Sequence, residues 1–175
     1  MSTREAIIDS LAGTSVTSFK GRHPTATDID TLEKELAIIA ATVKTSLFAG
    51  GQLHGHLCNV ISNELYAAIV GNPDFTLDEP AVPEAYNPAI LPQMGEVQRK
   101  TLESEWDKHK QHYQAYLRVQ EALRKHIVGA VDSQYLRKTY NEYTGYAQHL
   151  ARALVNHIRG KVKLTTMEKA KIQDQ

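Results

Sequence analysis

Large side chains recur in steps of mostly three and four between Val97 and Val131: Leu102, Trp106, His109, Tyr113, Tyr116, Leu117, Leu123, Ile127 and Val131. That spacing puts them on one face of an α-helix. The positions between are mainly Lys, Glu, Gln and Arg, which are good helix formers, and no proline interrupts them. At a rise of 1.5 Å per residue the unbroken helix is a rod of about 50 Å. A single apolar stripe on such a rod has to be covered by other helices. The only tryptophan, Trp106, lies on the stripe. It is expected to be a core anchor, buried against a helix over 28–48.

The same pattern recurs on either side. Ser2 and Gly13 bracket a short helix over Thr3–Ala12, followed by a Gly, Ser, Thr and Pro stretch to Pro24. Residues 1–24 thus read as an N-terminal helix and linker, and 25–175 as the main helical domain. Thr25 or Thr27 caps a second helix with Asp28 and Asp30 in its first turn, where the helix dipole favours acids. Ile29, Leu32, Leu36, Ile39, Val43 and Leu47 step along one side of it, and Gly50-Gly51 ends it after about six turns. Leu57–Ile61 is too short for periodicity to separate an extended segment from a helical turn. Ser62 caps a helix over Asn63–Val70 that Gly71 ends. Asp132 reads as the N-cap of a helix of two to three turns through SQYLRKTYNEY, broken by Thr144-Gly145. A helix over Tyr146–Arg159 ends at Gly160. Thr165 and Glu168, at capping-box spacing, open a last short one. The expected fold is all-α, a single helical domain of six or seven helices, two of them long.

Residues 72–95 break the pattern. They hold five of the six prolines (Pro73, Pro80, Pro83, Pro88 and Pro92), four acids and no Lys or Arg. This is a long irregular loop, with Phe75, Tyr86, Ile90 and Leu91 as candidates to pin it to the surface. Pro80 and Pro83 have PxxP spacing, which modules of the SH3 type recognise, but no basic residue flanks them.

Composition adds three constraints. No apolar run approaches the ~20 residues that span a bilayer. The start lacks the apolar core of a signal peptide. Together with the lone cysteine, Cys58, this places the chain in a reducing, intracellular, cytoplasmic setting. Net charge is zero but divided: residues 1–95 hold 5 Lys and Arg against 11 Asp and Glu, a net −6, and residues 96–175 hold 15 against 9, a net +6. The halves either pair inside one fold or draw copies of the chain together head to tail.

Candidate chemistry is sparse. His54 and His56 are two potential zinc ligands, but a site needs three or four and no local set completes it. A glycine-flanked turn whose histidines bond to backbone is the preferred reading. Glu105, His109 and His112 share a helix face without HExxH spacing. Cys58 has no positioned base and reads as packing. Six of the eight tyrosines lie between Tyr113 and Tyr146. Beside Lys and Arg they can stack bases, though packing of helix interfaces with the hydroxyl at the rim is preferred. No glycine-rich phosphate loop, nucleophile elbow or paired-carboxylate motif is present. No catalytic residue, metal ligand, cofactor, membrane contact or small-molecule substrate is assigned.

Several stretches, in order, resemble one family. They are SFKGRHPTATDIDTLEKELAIIAATV, GGQLHGHLCNVISNELYAAI, the proline-rich loop, the run from His112 to Gly160, and a Thr-rich tail. Together they look like the N-terminal, capsid-like part of Gag-like proteins of copia-type retrotransposons, over roughly residues 18–170. The matching positions are Gly50-Gly51, His54-Gly55-His56-Leu57, Tyr66, Glu121-Ala122-Leu123, Ile127, Ala130-Val131-Asp132, Tyr135-Leu136 and Thr144-Gly145. Cys58 stands where the family favours a small or apolar residue, the tail lacks a proline often found there, and there is no CCHC zinc knuckle. What the resemblance implies is a non-enzymatic structural protein that self-associates as a homo-oligomer around RNA. With no knuckle, RNA contact is expected to be weak, non-specific and carried by late basic residues: Arg152, Arg159, Lys161, Lys163, Lys169 and Lys171. The alternatives are an intracellular helical adaptor binding a protein partner through residues 72–95, and an enzyme using the histidines.

Overall fold

A computed structural model describes residues 3–11, 13–72, 79–84 and 95–173. Ser2, Ala12, Phe75, Tyr86, Ile90 and Leu91 lie outside them. The fold is all-α. The described residues form α1 (Thr3–Leu11), α2 (Ala26–Ala41), α3 (Gly51–His54), α4 (Asn63–Val70), α5 (Glu96–Ala130) and α6 (Ala151–Gln173). Single 3-10 turns lie at Leu57–Asn59, Ser133–Tyr135 and Arg137–Thr139. None of the helices is long and apolar enough to cross a membrane.

The core forms where α2, α5 and α6 cross, each packed on the other two. Ile29, Leu32 and Leu36 of α2 meet Val119, Leu123 and Ile127 of α5 and Leu154, Val155 and Ile158 of α6, all fully buried. Burying side chains of this size contributes roughly 1.5–3 kcal/mol each. The N-terminal segment shares this core. Ile8 and Leu11 of α1 lie on α5, and Phe19 is buried with its N–H bonded to Ala130 O at 2.6 Å.

Local chemistry explains where the helices begin. At α2 the Thr25 hydroxyl accepts the Asp28 N–H at 3.2 Å and the Asp28 carboxylate accepts the Thr25 N–H at 2.7 Å, a capping box. The Arg22 guanidinium grips the same carboxylate at 2.6 and 3.0 Å. Arg22 first and the Thr25 amide second hold Asp28 well below the usual carboxylate range. Ser62 caps α4 through Leu65 N–H, and Gly71, at φ 78°, ends it.

Four elements differ from expectation. First, α2 stops at Ala41 rather than reaching residue 48. The Thr42 N–H and hydroxyl both turn back to Ile39 O, at 3.2 and 2.7 Å. Val43 and Phe48 still enter the core from a non-helical stretch, so the apolar spacing outlasts the helix.

Second, Trp106 is not a core anchor. Only the C-terminal part of α5, from His112 onward, is buried. Leu102, Trp106 and His109 lie on nearly the same side of α5 as Tyr113, Tyr116, Leu123 and Ile127, but N-terminal to the point where the helix enters the core. Half-buried Trp106 instead donates its indole N–H to Glu84 O at 2.6 Å, with the Lys110 ammonium 5.0 Å above its ring.

Third, residues 133–143 do not form a helix. Two 3-10 turns lead to a tight turn in which Asn141 and Gly145 exchange backbone bonds at 2.9 and 2.7 Å. The Asn141 side chain accepts the N–H groups of Tyr143 and Thr144, an Asx turn that competes with helix. Gly145 sits at φ 61°, which favours glycine.

Fourth, α6 starts at Ala151, not Tyr146, and runs through Gly160 to Gln173. The Gln120 side chain of α5 accepts the Ala151 N–H at 3.1 Å, holding the helix start. Thr165 does not cap a new helix. Its hydroxyl bonds back to Lys161 O at 3.1 Å, as Thr166 does to Val162 O at 2.9 Å.

Candidate functional site

The glycine–histidine stretch of the sequence builds one interlocked turn. After α2 the chain loops out and returns through α3, with Thr45 N–H bonded to Gly51 O and His56 N–H bonded to Ala40 O, at 3.0 and 2.9 Å. Two glycines make the return possible. A Cβ on Gly51 would lie 2.5 Å from Thr45 O. One on Gly55, at φ 56°, would lie 2.5, 2.7 and 2.9 Å from the carbonyl oxygens of Val43, Ala41 and Ala40. His56 is fully buried and donates its Nδ1–H to Val43 O at 2.8 Å. Its ring lies edge-on to Phe48 and stacked on Tyr116. Tyr66, also fully buried, donates its hydroxyl to Ala49 O, and burial pushes its pKa up to about 12. Gly50, Gly51, Gly55, His56 and Tyr66 are thus brought together in a structural role. His54 and Leu57 are partly exposed beside them.

A second cluster joins the linker to the end of α5. The Asp132 carboxylate accepts the Gly21 N–H at 3.1 and 3.3 Å instead of capping a helix. Tyr135 hydroxyl pairs with the His23 ring, while Leu123 and Leu136 are fully buried beneath. Thr144 and Gly145 belong to the neighbouring tight turn.

The remaining histidines and the cysteine have local duties. Fully buried His112 takes the Ser46 N–H at Nδ1 at 3.3 Å, with the Thr45 hydroxyl 3.2 Å away. His109, exposed and about 60° round the helix from His112, bonds Ala81 O at 3.1 Å. The Glu105–His109–His112 face is therefore divided between the core and the 79–84 segment. Among the described residues no three His, Cys, Asp or Glu converge as metal ligands would. Cys58 is fully buried, and burial pushes its thiol up to about 12.

The late basic residues fall into two groups. Arg159 binds Asp30 and Glu33 at 3.2 and 3.0 Å, and Arg152 binds Ile61 O and Asn63 at 3.0 and 2.8 Å. Both are engaged in joining α6 to the acidic half. Lys163, Lys169 and Lys171 stand exposed on the part of α6 beyond the core, with Lys161 half-buried at its root. His157 sits near Lys161, Lys138 and His149, and burial, then those charges, lowers its pKa.

One concavity escaped the sequence reading. It lies between the C-terminal half of α5 and the turn at 144–147, and includes Lys20, Arg124, Lys125, Gly129 and Tyr146. Its residues are scattered from Lys20 to Ala147, so no local motif announces it. Only the count of tyrosines beside basic residues pointed near it. Compared with protein-family models, curated proteins and solved structures, the chain has no significant match in any of the three.

Proposed function

We propose that this chain is a non-enzymatic Gag-like assembly module that self-associates and holds RNA loosely, in line with its resemblance to the capsid-like part of copia-type Gag proteins. One observation carries the reading: α6 outruns its own core. Its buried stripe of Ala151, Leu154, Val155, Ile158 and Val162 ends, and Lys163–Gln173 continues as exposed helix. Leu164, Met167 and Ile172 are 59%, 50% and 73% exposed there. A helical piece shorter than about 12 residues is marginal without packing. A second copy supplies that packing, and the division of charge between the halves draws copies together. Lys163, Lys169 and Lys171 give RNA phosphates a weak, salt-sensitive contact.

The adaptor reading draws less support. It needs the proline-rich loop free for a partner, yet Ala81 O and Glu84 O already receive hydrogen bonds from His109 and Trp106. Light scattering and negative-stain microscopy of the purified chain, with and without single-stranded RNA, test the assembly reading. Growth into regular particles, helped by RNA and reversed by salt, is the expected result. A monodisperse monomer under all these conditions would overturn it.

A further inference from the structure

The cleft beside the 144–147 turn is open to solvent and has a volume of about 600 Å³, within the size range of small-molecule sites. Its lining combines two chemistries. Tyr146, Val128 and Ala147 provide apolar surface, and Lys20, Arg124 and Lys125 provide positive charge. The acid of the lining, Glu121, pairs with Lys125 at 3.2 Å, so the balance stays positive. Two of these groups are held in place. The Tyr146 ring packs edge-on against Tyr140 at 5.3 Å, and Arg124 donates to His149 O at 3.3 Å.

We infer that this cleft binds a nucleoside phosphate, with the base stacked on Tyr146 and the phosphate among Lys20, Arg124 and Lys125. A tyrosine face beside clustered cations is what a base and its phosphate need. An inorganic anion would leave the apolar surface unfilled, and a neutral apolar ligand would desolvate Lys20 and Arg124 without supplying a counter-charge. The ligand is either a free mononucleotide or one residue of a single-stranded RNA. The site stands whether or not the chain self-associates.

Gly129 offers a clean way to close the cleft. It lines the space within α5, and a Cβ built there meets nothing within 4 Å. Gly129→Leu therefore fills the cleft while improving helix propensity. The test is calorimetric titration of the full chain with AMP, adenosine, inorganic phosphate and hexaadenylate. AMP is expected to bind at least tenfold more tightly than adenosine or phosphate alone. Gly129→Leu and Tyr146→Ala are each expected to weaken AMP by about fivefold or more, the lower end for loss of base stacking. The thermal midpoint of Gly129→Leu should not fall. Replacing Lys161, Lys163, Lys169 and Lys171 with Gln should leave AMP binding unchanged. Hexaadenylate binding well above AMP marks an RNA strand as the source; equal affinities mark a free nucleotide. No heat at millimolar AMP, or equal AMP affinity in Gly129→Leu and the parent, overturns the inference. So does hexaadenylate binding that ignores both cleft variants and vanishes with the α6 lysines, an outcome that leaves the assembly reading intact.

Discussion

The same substitution, glycine to alanine, should act in opposite directions at Gly55 and Gly160. At Gly55 the backbone lies at φ 56°, ψ −130°, and the new methyl would sit 2.5 to 2.9 Å from three carbonyl oxygens. The disfavoured backbone costs about 1–3 kcal/mol. Relieving the contacts means moving the Val43 and Ala40 carbonyls, which breaks the His56 bonds to both. Each such bond is worth roughly 1 kcal/mol, more where a buried donor is left unmet. The sum is about 3–5 kcal/mol, or a midpoint lower by roughly 6–20 °C at about 2–4 °C per kcal/mol for a chain of this size. At Gly160 a Cβ meets nothing and the residue lies inside α6. Removing its excess backbone freedom should stabilise the chain by about 1 kcal/mol and raise the midpoint by roughly 2–4 °C. Urea titrations and thermal melts followed by circular dichroism read both effects. A Gly55→Ala protein with the parent's midpoint would refute the interlocked turn. A destabilised Gly160→Ala protein would refute the continuous α6 and restore the helix end that the sequence suggested there.

Trp106→Ala should cost only about 1–2 kcal/mol, below the roughly 3–5 kcal/mol of a buried aromatic, because the ring is half-buried outside the core cluster and gives up its hydrogen bond to Glu84 O; a loss at the upper figure in denaturant titration would place it in a core. Cys58 should resist a thiol reagent such as DTNB in the native chain and react on unfolding, since it is fully buried with its pKa near 12; prompt native labelling contradicts this. His157, whose pKa is depressed, binds fewer protons folded than unfolded, so its contribution is present above the unfolded value of about 6.5 and is lost as pH falls through that value toward the folded one. Melts between neutral and mildly acidic pH should show a steeper loss in the parent than in His157→Gln; parallel slopes would remove His157 from the balance.

What was legible in the sequence follows the physics of each element. The extent of α5, the C-terminal half of its buried stripe and the caps at Thr25 and Ser62 rest on local rules, and they stand in the structure. Errors arose where tertiary contacts override a local signal. Gly160 and Thr165 look like punctuation, yet the helix continues, with the Thr165 hydroxyl turned inward to its own backbone. Val43 keeps the apolar period after α2 has ended, because the core accepts a side chain from any backbone that reaches it. Trp106 lies on the expected face at a point where the helix has left the core. For the site, the glycines and His56 were visible as a turn. The carbonyls that require Gly51 and Gly55 to lack a side chain belong to residues up to 15 positions earlier and were not. The cleft around Tyr146 joins segments that only the fold brings together.

Sedimentation equilibrium over a wide range of protein concentration tests the central claim most directly, comparing the parent with a Leu164→Ser, Met167→Ser, Ile172→Ser variant at low and high salt. The three substitutions lie on exposed helix and leave the core untouched. The parent should shift from monomer to larger species as concentration rises, less so at high salt, where charge attraction is screened, and the variant should remain monomeric under the same conditions. A parent that stays monomeric throughout, or a variant that associates as strongly as the parent, would contradict assembly through the end of α6.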